Sequence, residues 1–262
     1  MIIAALLTVN AIVTALCFVA LWLVSLRLKD VSFIDAWWAL GLVVIAGVSF
    51  MNSPPGAPHA LLLTALCAIW GLRLGLYLLW RWRKHGPDRR YVKILARAQA
   101  NGWSFAAASL IFVFALQAPL QFIVSLPVQM AQLAHEPLGS LAYAGAALAV
   151  FGIAFESIGD WQLVRFRANP ANAGKVLDRG LWRYTRHPNY FGDACVWWGL
   201  WGIAADVGAG PWTLAGPVLI TYLLTSLSGV PTVENHLKRS RPDYEAYVAK
   251  TSSFIPLPPK RA

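Results

Sequence analysis

The densest run of groups able to do chemistry is Gly180-Leu181-Trp182-Arg183-Tyr184-Thr185-Arg186-His187-Pro188-Asn189-Tyr190-Phe191-Gly192-Asp193. Pro188 marks a helix start, because its ring presets the helical φ and its missing N–H costs nothing in a first turn. Asn189 and Asp193 then stand four residues apart on one face. Arg186 and His187 precede the helix N-terminus, a place where cations and dipole together suit an anion. A second run lies near the C-terminus, Val233-Glu234-Asn235-His236-Leu237-Lys238, followed by Pro242-Asp243-Tyr244-Glu245-Ala246-Tyr247 and Phe254-Ile255-Pro256. Glu234 and Lys238 are spaced to pair along a helix, and Tyr244 and Tyr247 to pack the tail down. Ionisable groups also interrupt apolar stretches, where they are expensive and usually functional. These are Asp35 in Ile34-Asp35-Ala36-Trp37-Trp38, Arg73 in Trp70-Gly71-Leu72-Arg73, and Glu156 and Asp160 one turn apart. Their plain reading is mutual pairing, Asp35 with Arg73 and Asp160 with Arg165 or Arg167. Their chemical reading is a cation-rich cavity with Asp35, Glu156, Asp160, Asp193 and Glu234 around it. Such a cavity takes a soluble anionic cofactor from the cytoplasm and a lipid-soluble substrate sideways.

The elements that position these groups follow from composition. The chain has 262 residues, 58% of them hydrophobic and only 13% charged, with a net charge of +10. A soluble domain is about 45–50% apolar and about 25% charged, so a water-soluble globule lacks the polar surface to cover itself, and disorder is excluded. At about 20 apolar residues per membrane helix there is room for about seven spans. Seven apolar segments stand out, roughly 2–26, 32–51, 60–82, 104–130, 138–160, 192–206 and 211–231. The connections alternate: Lys and Arg crowd 26–31, 81–103, 161–191 and 232–262, and are absent from 52–59, 131–137 and the turn near Asp206. This is the positive-inside pattern. It predicts an all-α polytopic membrane protein of seven transmembrane helices, N-terminus outside and C-terminus cytoplasmic, in one integral domain over 1–262. Placement in loops accounts for much of the basic excess, so nucleic acid is excluded as a partner. Cys17, Cys67 and Cys195 lie in apolar segments and read as small hydrophobes, with no metal spacing.

The two runs, together with Asp35-Ala36-Trp37-Trp38, Trp70-Gly71-Leu72-Arg73-Leu74 and the basic Arg81…Asp88-Arg89-Arg90-Tyr91 stretch, resemble a membrane-enzyme superfamily. Its members include steroid 5-alpha-reductases, sterol reductases and isoprenylcysteine carboxyl methyltransferases. The N-terminal half is similar to the bacterial branch nearest steroid 5-alpha-reductase, which places the protein in a bacterial inner membrane. The resemblance implies a substrate pocket among helices 1–4 (residues 1–130), open to lipid, and NADPH held by helices 5–7 and the tail (131–262). It implies an enone substrate of the 3-oxo-4-ene steroid kind, reduced at its C=C bond. The cofactor set it implies is Asp160, Arg167, Asn189 and Asp193, with Glu234 and His236 after the seventh helix. Glu156, Lys175, Tyr184, Arg186 and His187 are expected to complete it.

In the catalytic set, Asp35 falls where the family carries an acid, Arg73 belongs to the third-helix motif, and Trp70 stands at the position of the family's tyrosine. Trp cannot donate a proton as a phenol does, and Tyr77 on the same helix is the expected substitute. Trp37, Trp38 and Trp70 are expected to line the substrate pocket. Protonated Asp35 would donate to the ketone oxygen as charge develops there, and Arg73 nearby would oppose that state. Two alternatives stand beside the reductase: a methyltransferase using S-adenosylmethionine, and a non-enzymatic lipid-binding or transport protein. The cationic loops suit the phosphates of NADPH better than the sulfonium of S-adenosylmethionine.

Overall fold

The computed structural model describes residues 2–227 and 229–260, so Arg261 of the basic tail lies outside them. Regular structure among the described residues is helical, apart from one isolated bridge between Thr185 and Ser252. The helices are α1 (Ile2–Leu28), α2 (Ile34–Met51), α3 (Pro58–His85), α4 (Arg89–Ala100), α5 (Phe105–Val124) and the short α6 (Leu126–Met130). They continue with α7 (Ser140–Ala168), α8 (Pro188–Asp206), α9 (Ala215–Tyr222), α10 (Val230–Ser240) and α11 (Tyr244–Lys250).

Among the described residues, six helical stretches are long and apolar enough to cross a membrane: α1, α2, α3, α5, α7 and the run Gly210–Ser240. The chain therefore has the character of a multi-pass membrane protein. Side chains such as Ile12, Leu16, Leu61 and Val150 are exposed at 55–64%, which water would penalise and lipid does not. The expected span at 192–206 is a helix, α8, but its first two turns carry the polar Asn189 and Asp193, and it is not one of the six.

Two segments differ from expectation. The basic stretch 81–103 contains α4, an amphipathic helix whose Leu95 and Ala98 are buried with Phe18, Phe33 and Phe114. Asp88 caps it, Oδ1 accepting from the Arg90 N–H at 2.8 Å, which satisfies one of the first turn's free donors. The apolar stretch 104–130 is not one straight helix. A π turn at Leu110–Phe114 precedes Pro119, and the helix breaks at Ser125. Pro119 cannot donate back to the preceding turn, and such irregular turns are how a helix absorbs that loss.

The chain divides into two compact units. The first comprises residues up to Tyr143 together with Leu200–Gly216. Here α2 and α3 approach closely because Gly71 and Gly75 face α2: a Cβ on Gly71 would lie 2.8 Å from the Ala39 carbonyl oxygen, and one on Gly75 would lie 3.2 Å from that of Ala36. Interhelical hydrogen bonds add to this packing. Asn10 Nδ2 donates to Ser49 Oγ (2.8 Å) and Gln129 Oε1 (2.9 Å), and His59 Nε2 lies 2.9 Å from Asp206 Oδ2. The second unit comprises Ala144–Gly199 together with residues from Pro217 onward. Its α7 and α8 meet through Gly152, Gly159, Gly192 and Gly199. A Cβ on Gly152 would lie 2.5 Å from the Gly192 carbonyl oxygen, and one on Gly199 2.6 Å from the Ala149 nitrogen.

Candidate functional site

In the first unit the side chain of Asp35, in the first turn of α2, is the centre of a hydrogen-bonded chain. Its partners are Arg90 and Tyr91 on α4: Arg90 Nη2 donates to Oδ2 at 2.5 Å and the Tyr91 hydroxyl to Oδ1 at 2.6 Å. Gln117 on α5 donates to the Tyr91 oxygen at 3.4 Å and accepts from Trp38 Nε1 at 2.5 Å. On the other side Arg90 also bonds Asp88, at 3.0 Å from Nε and from Nη2. The Asp88 amide donates to Ser32 Oγ at 2.7 Å, and Ser32 Oγ and Trp82 Nε1 both donate to Asp30 at 2.7 Å. Four helices thus fix one carboxylate and one phenol. Burial, then the negative charge of Asp35, holds the Tyr91 hydroxyl well above the usual phenol range, so it stays protonated. Burial alone would lower the Arg90 guanidinium, but Asp35 and Asp88 beside it raise it instead.

The expected Asp35–Arg73 pairing is replaced by Asp35–Arg90. Gly71 and Gly75 share the face of α3 that lies against α2, and Arg73, two residues from each, lies on another face. Tyr77 stacks on Trp80, ring centroids 6.1 Å apart, and the phenol on Asp35 is that of Tyr91. Of the expected pocket residues, Trp70 is buried, and Trp37 packs beside the Phe18–Phe33–Phe114 cluster. Gln121 Nε2 donates to the carbonyl oxygens of Trp37 (3.1 Å) and Trp38 (3.0 Å).

In the second unit the Arg186-His187-Pro188 run forms a clamp on the C-terminal tail. Arg186 Nε donates to Glu234 Oε1 at 2.7 Å, and its Nη1 to the carbonyl oxygens of Thr251 (2.6 Å) and Val248 (3.3 Å). His187 Nε2 lies 3.1 Å from the same Glu234 oxygen. The Arg186 amide donates to the Ser252 carbonyl oxygen at 2.9 Å, and buried Thr185 Oγ1 to that of Phe254 at 2.8 Å. Burial lowers His187 below its ordinary value of 6.5, with Glu234 acting in the opposite sense. Tyr244 and Tyr247 are buried, and Tyr247 donates to the Trp182 carbonyl oxygen at 2.5 Å. Burial pushes the Tyr244 hydroxyl up to about 12.

The remaining expected cofactor residues belong to the same unit. Glu156, Asp160 and Asp193 are buried at 2–8% exposure, on α7 and α8, where the glycine contacts draw the two helices together. Asn189 is half-buried, whereas Arg167, Lys175, Tyr184 and His236 are exposed. So the structure gathers buried acceptors in the interior of this unit and cations on its surface. Arg186, expected at an anion, is engaged by an acid and two carbonyl groups.

Sequence reasoning missed the roles of Arg90, Tyr91 and Gln117. The available signal was Asp88 as an N-cap, followed by Tyr91, Leu95 and Ala98 at helical spacing. No group of three or more His, Cys, Asp or Glu able to hold a metal occurs among the described residues. No curated protein and no solved structure matches the chain. One family model does match it, over residues 21–251, and on that extent the chain belongs to the family described as Protein of unknown function (DUF1295).

Proposed function

We propose that the protein reduces the C=C bond of a lipophilic enone, of the 3-oxo-4-ene steroid kind, using NADPH, as a steroid 5-alpha-reductase-like member of its family. The observation that carries this reading is the Asp35–Tyr91 pair, an acid and a phenol held at 2.6 Å beside membrane helices. This reading includes seven spans, with α8 as the sixth, the N-terminus outside, and the basic connections and tail in the cytoplasm of a bacterial inner membrane.

The chemistry of the side chains fits the cofactor. The second unit offers carboxylates (Glu156, Asp160, Asp193) for ribose hydroxyl and carboxamide donors, and surface cations (Arg167, Lys175) for phosphates. Bound NADPH would supply a hydride to the β carbon of the enone, and a proton taken up from water at the α carbon would complete the reduction. The chain's own part is at the ketone. As negative charge grows on that oxygen, a fixed donor lowers the barrier. Tyr91 is that donor: its O–H turns from Asp35 to the ketone oxygen, while Arg90 keeps Asp35 paired and Gln117 keeps the phenol oxygen in place. Asp35 therefore acts as the positioning carboxylate of Tyr91 rather than as the acid. Trp38, tied to Gln117, gives the substrate an apolar wall.

The test uses the purified protein in detergent, NADPH and a 3-oxo-4-ene steroid. Tyr91→Phe is expected to lose about 100-fold or more in kcat, with the Kd for NADPH unchanged and the melting temperature lowered only by the loss of the bond to Asp35, about 1–3 kcal/mol. Full turnover in Tyr91→Phe, or thermal stabilisation by S-adenosylmethionine and not by NADPH, overturns the proposal.

A further inference from the structure

The tail and the connection after α7 enclose a cleft of about 530 Å³, within the second unit, of whose lining the function above uses only Lys175. Its charged lining is Lys175, Arg183, Lys250 and Lys260 with Asp178 and Asp243. Four cations against two carboxylates leave it with a net charge of +2. None of the four cations makes an ion pair within 4.0 Å among the described residues. Their fields therefore add in the cleft instead of being cancelled at its edge.

The cleft is held open by main-chain and buried contacts. Lys260 N–H donates to the Lys250 carbonyl oxygen at 3.0 Å, which ties the last described residue of the tail back onto α11. Tyr247, in its wall, is pinned to Trp182 at 2.5 Å, and Thr251 is pinned by Arg186 at 2.6 Å. The cavity is thus formed before any ligand arrives, which lowers the ordering cost of binding.

We infer that this cleft binds the phosphomonoester end of a nucleotide. The charge matches, since a phosphomonoester carries about −1.5 to −2 at pH 7. The size matches as well, since the volume lies within the roughly 300–1,000 Å³ of small-molecule pockets and exceeds what a lone phosphate fills. Val176, Ala246 and Pro259 give it apolar walls for a base or a sugar. In its choice of nucleotide the inference rests on the reading above: the ligand is the adenosine 2′-phosphate portion of NADPH, and the cleft is what separates NADPH from NADH.

The test is equilibrium binding to the full chain in detergent, wild type against the double variant Lys250→Gln with Lys260→Gln. Both side chains are exposed, and the main-chain bond between these residues survives the substitution, so the fold is kept. The Kd for NADPH is expected to rise about tenfold or more in the variant, with the Kd for NADH unchanged. Adenosine 2′,5′-bisphosphate should displace NADPH from the wild type, and inorganic phosphate or vesicles containing phosphatidic acid should not. An unchanged NADPH affinity in the variant overturns the inference, as does equal displacement by inorganic phosphate or by the acidic vesicles. Discrimination that collapses in the variant, in a protein that reduces no enone, upholds the cleft and removes the enone reading.

Discussion

Arg186 and Glu234 lie 48 residues apart and are both about nine-tenths buried, with side-chain exposures of 10% and 12%. Removing one partner of such a pair leaves the other charged, desolvated and alone, which costs about 3–5 kcal/mol. Arg186→Met should therefore lower the melting temperature markedly and free the tail to protease, and an unchanged melting curve would show the clamp to be idle. His187 adds a pH dependence of definite sign. Its value in the folded protein lies below its ordinary 6.5, chiefly because it is buried. Between those two values the unfolded chain binds a proton and the folded chain does not, so stability falls as pH drops below about 6.5. The groups facing it are Glu234 and Arg186. Melting temperatures taken downward from pH 7 should decline, and His187→Gln should flatten that decline. At this scale Asp35 was legible because a charge in an apolar run is costly. Its partners were not, because Arg90 and Tyr91 follow it by 55 and 56 residues and are hidden in a stretch whose basic charges have a sufficient explanation in topology.

Helices α7 and α8 carry their acids at a spacing that only glycine permits. The Gly152 position faces the Gly192 carbonyl oxygen and, at 2.7 Å, the Val196 nitrogen. Both are backbone atoms that cannot rotate away, so Gly152→Ala forces the helices apart. The expected loss is about 1–3 kcal/mol, read as a lower melting temperature. Gly47 on α2 is the control, since a Cβ there meets nothing within 4 Å. Gly47→Ala should leave stability unchanged or raise it by up to about 1 kcal/mol, through helix propensity alone. Equal effects at the two sites would mean that propensity, not close approach, governs the pair. Most helices could be read from apolar length. The helix α4 could not, because its buried face is narrow and its other positions are cationic. The break after Val124 could not either, because it depends on hydrogen bonds among Ser125, Phe122 and Gln129, not on a change in hydropathy.

For the whole molecule the topology turns on α8. Among the described residues six helical stretches qualify as spans by length and apolarity, and an even number places both termini on one side. The charges argue for an odd number. Of the 22 Lys and Arg residues, all but Arg73 fall in every second connection, and that alternation survives only if Pro188–Asp206 crosses the membrane. Its polar first two turns do not forbid this, because the acid there is buried in protein: Asp193 is only 8% exposed, and buried polar groups at membrane depth are tolerated where protein surrounds them. The sides can be read by reporter fusions. Alkaline phosphatase, active only outside, should be active when inserted in 131–137 or in the turn at Val207–Ala209. A fluorescent protein that folds only in the cytoplasm should fluoresce at the C-terminus. An inactive phosphatase in the Val207–Ala209 turn would make α8 a re-entrant helix. The tail clamped by Arg186 would then need another route to the cytoplasm, and with it any soluble nucleotide bound there.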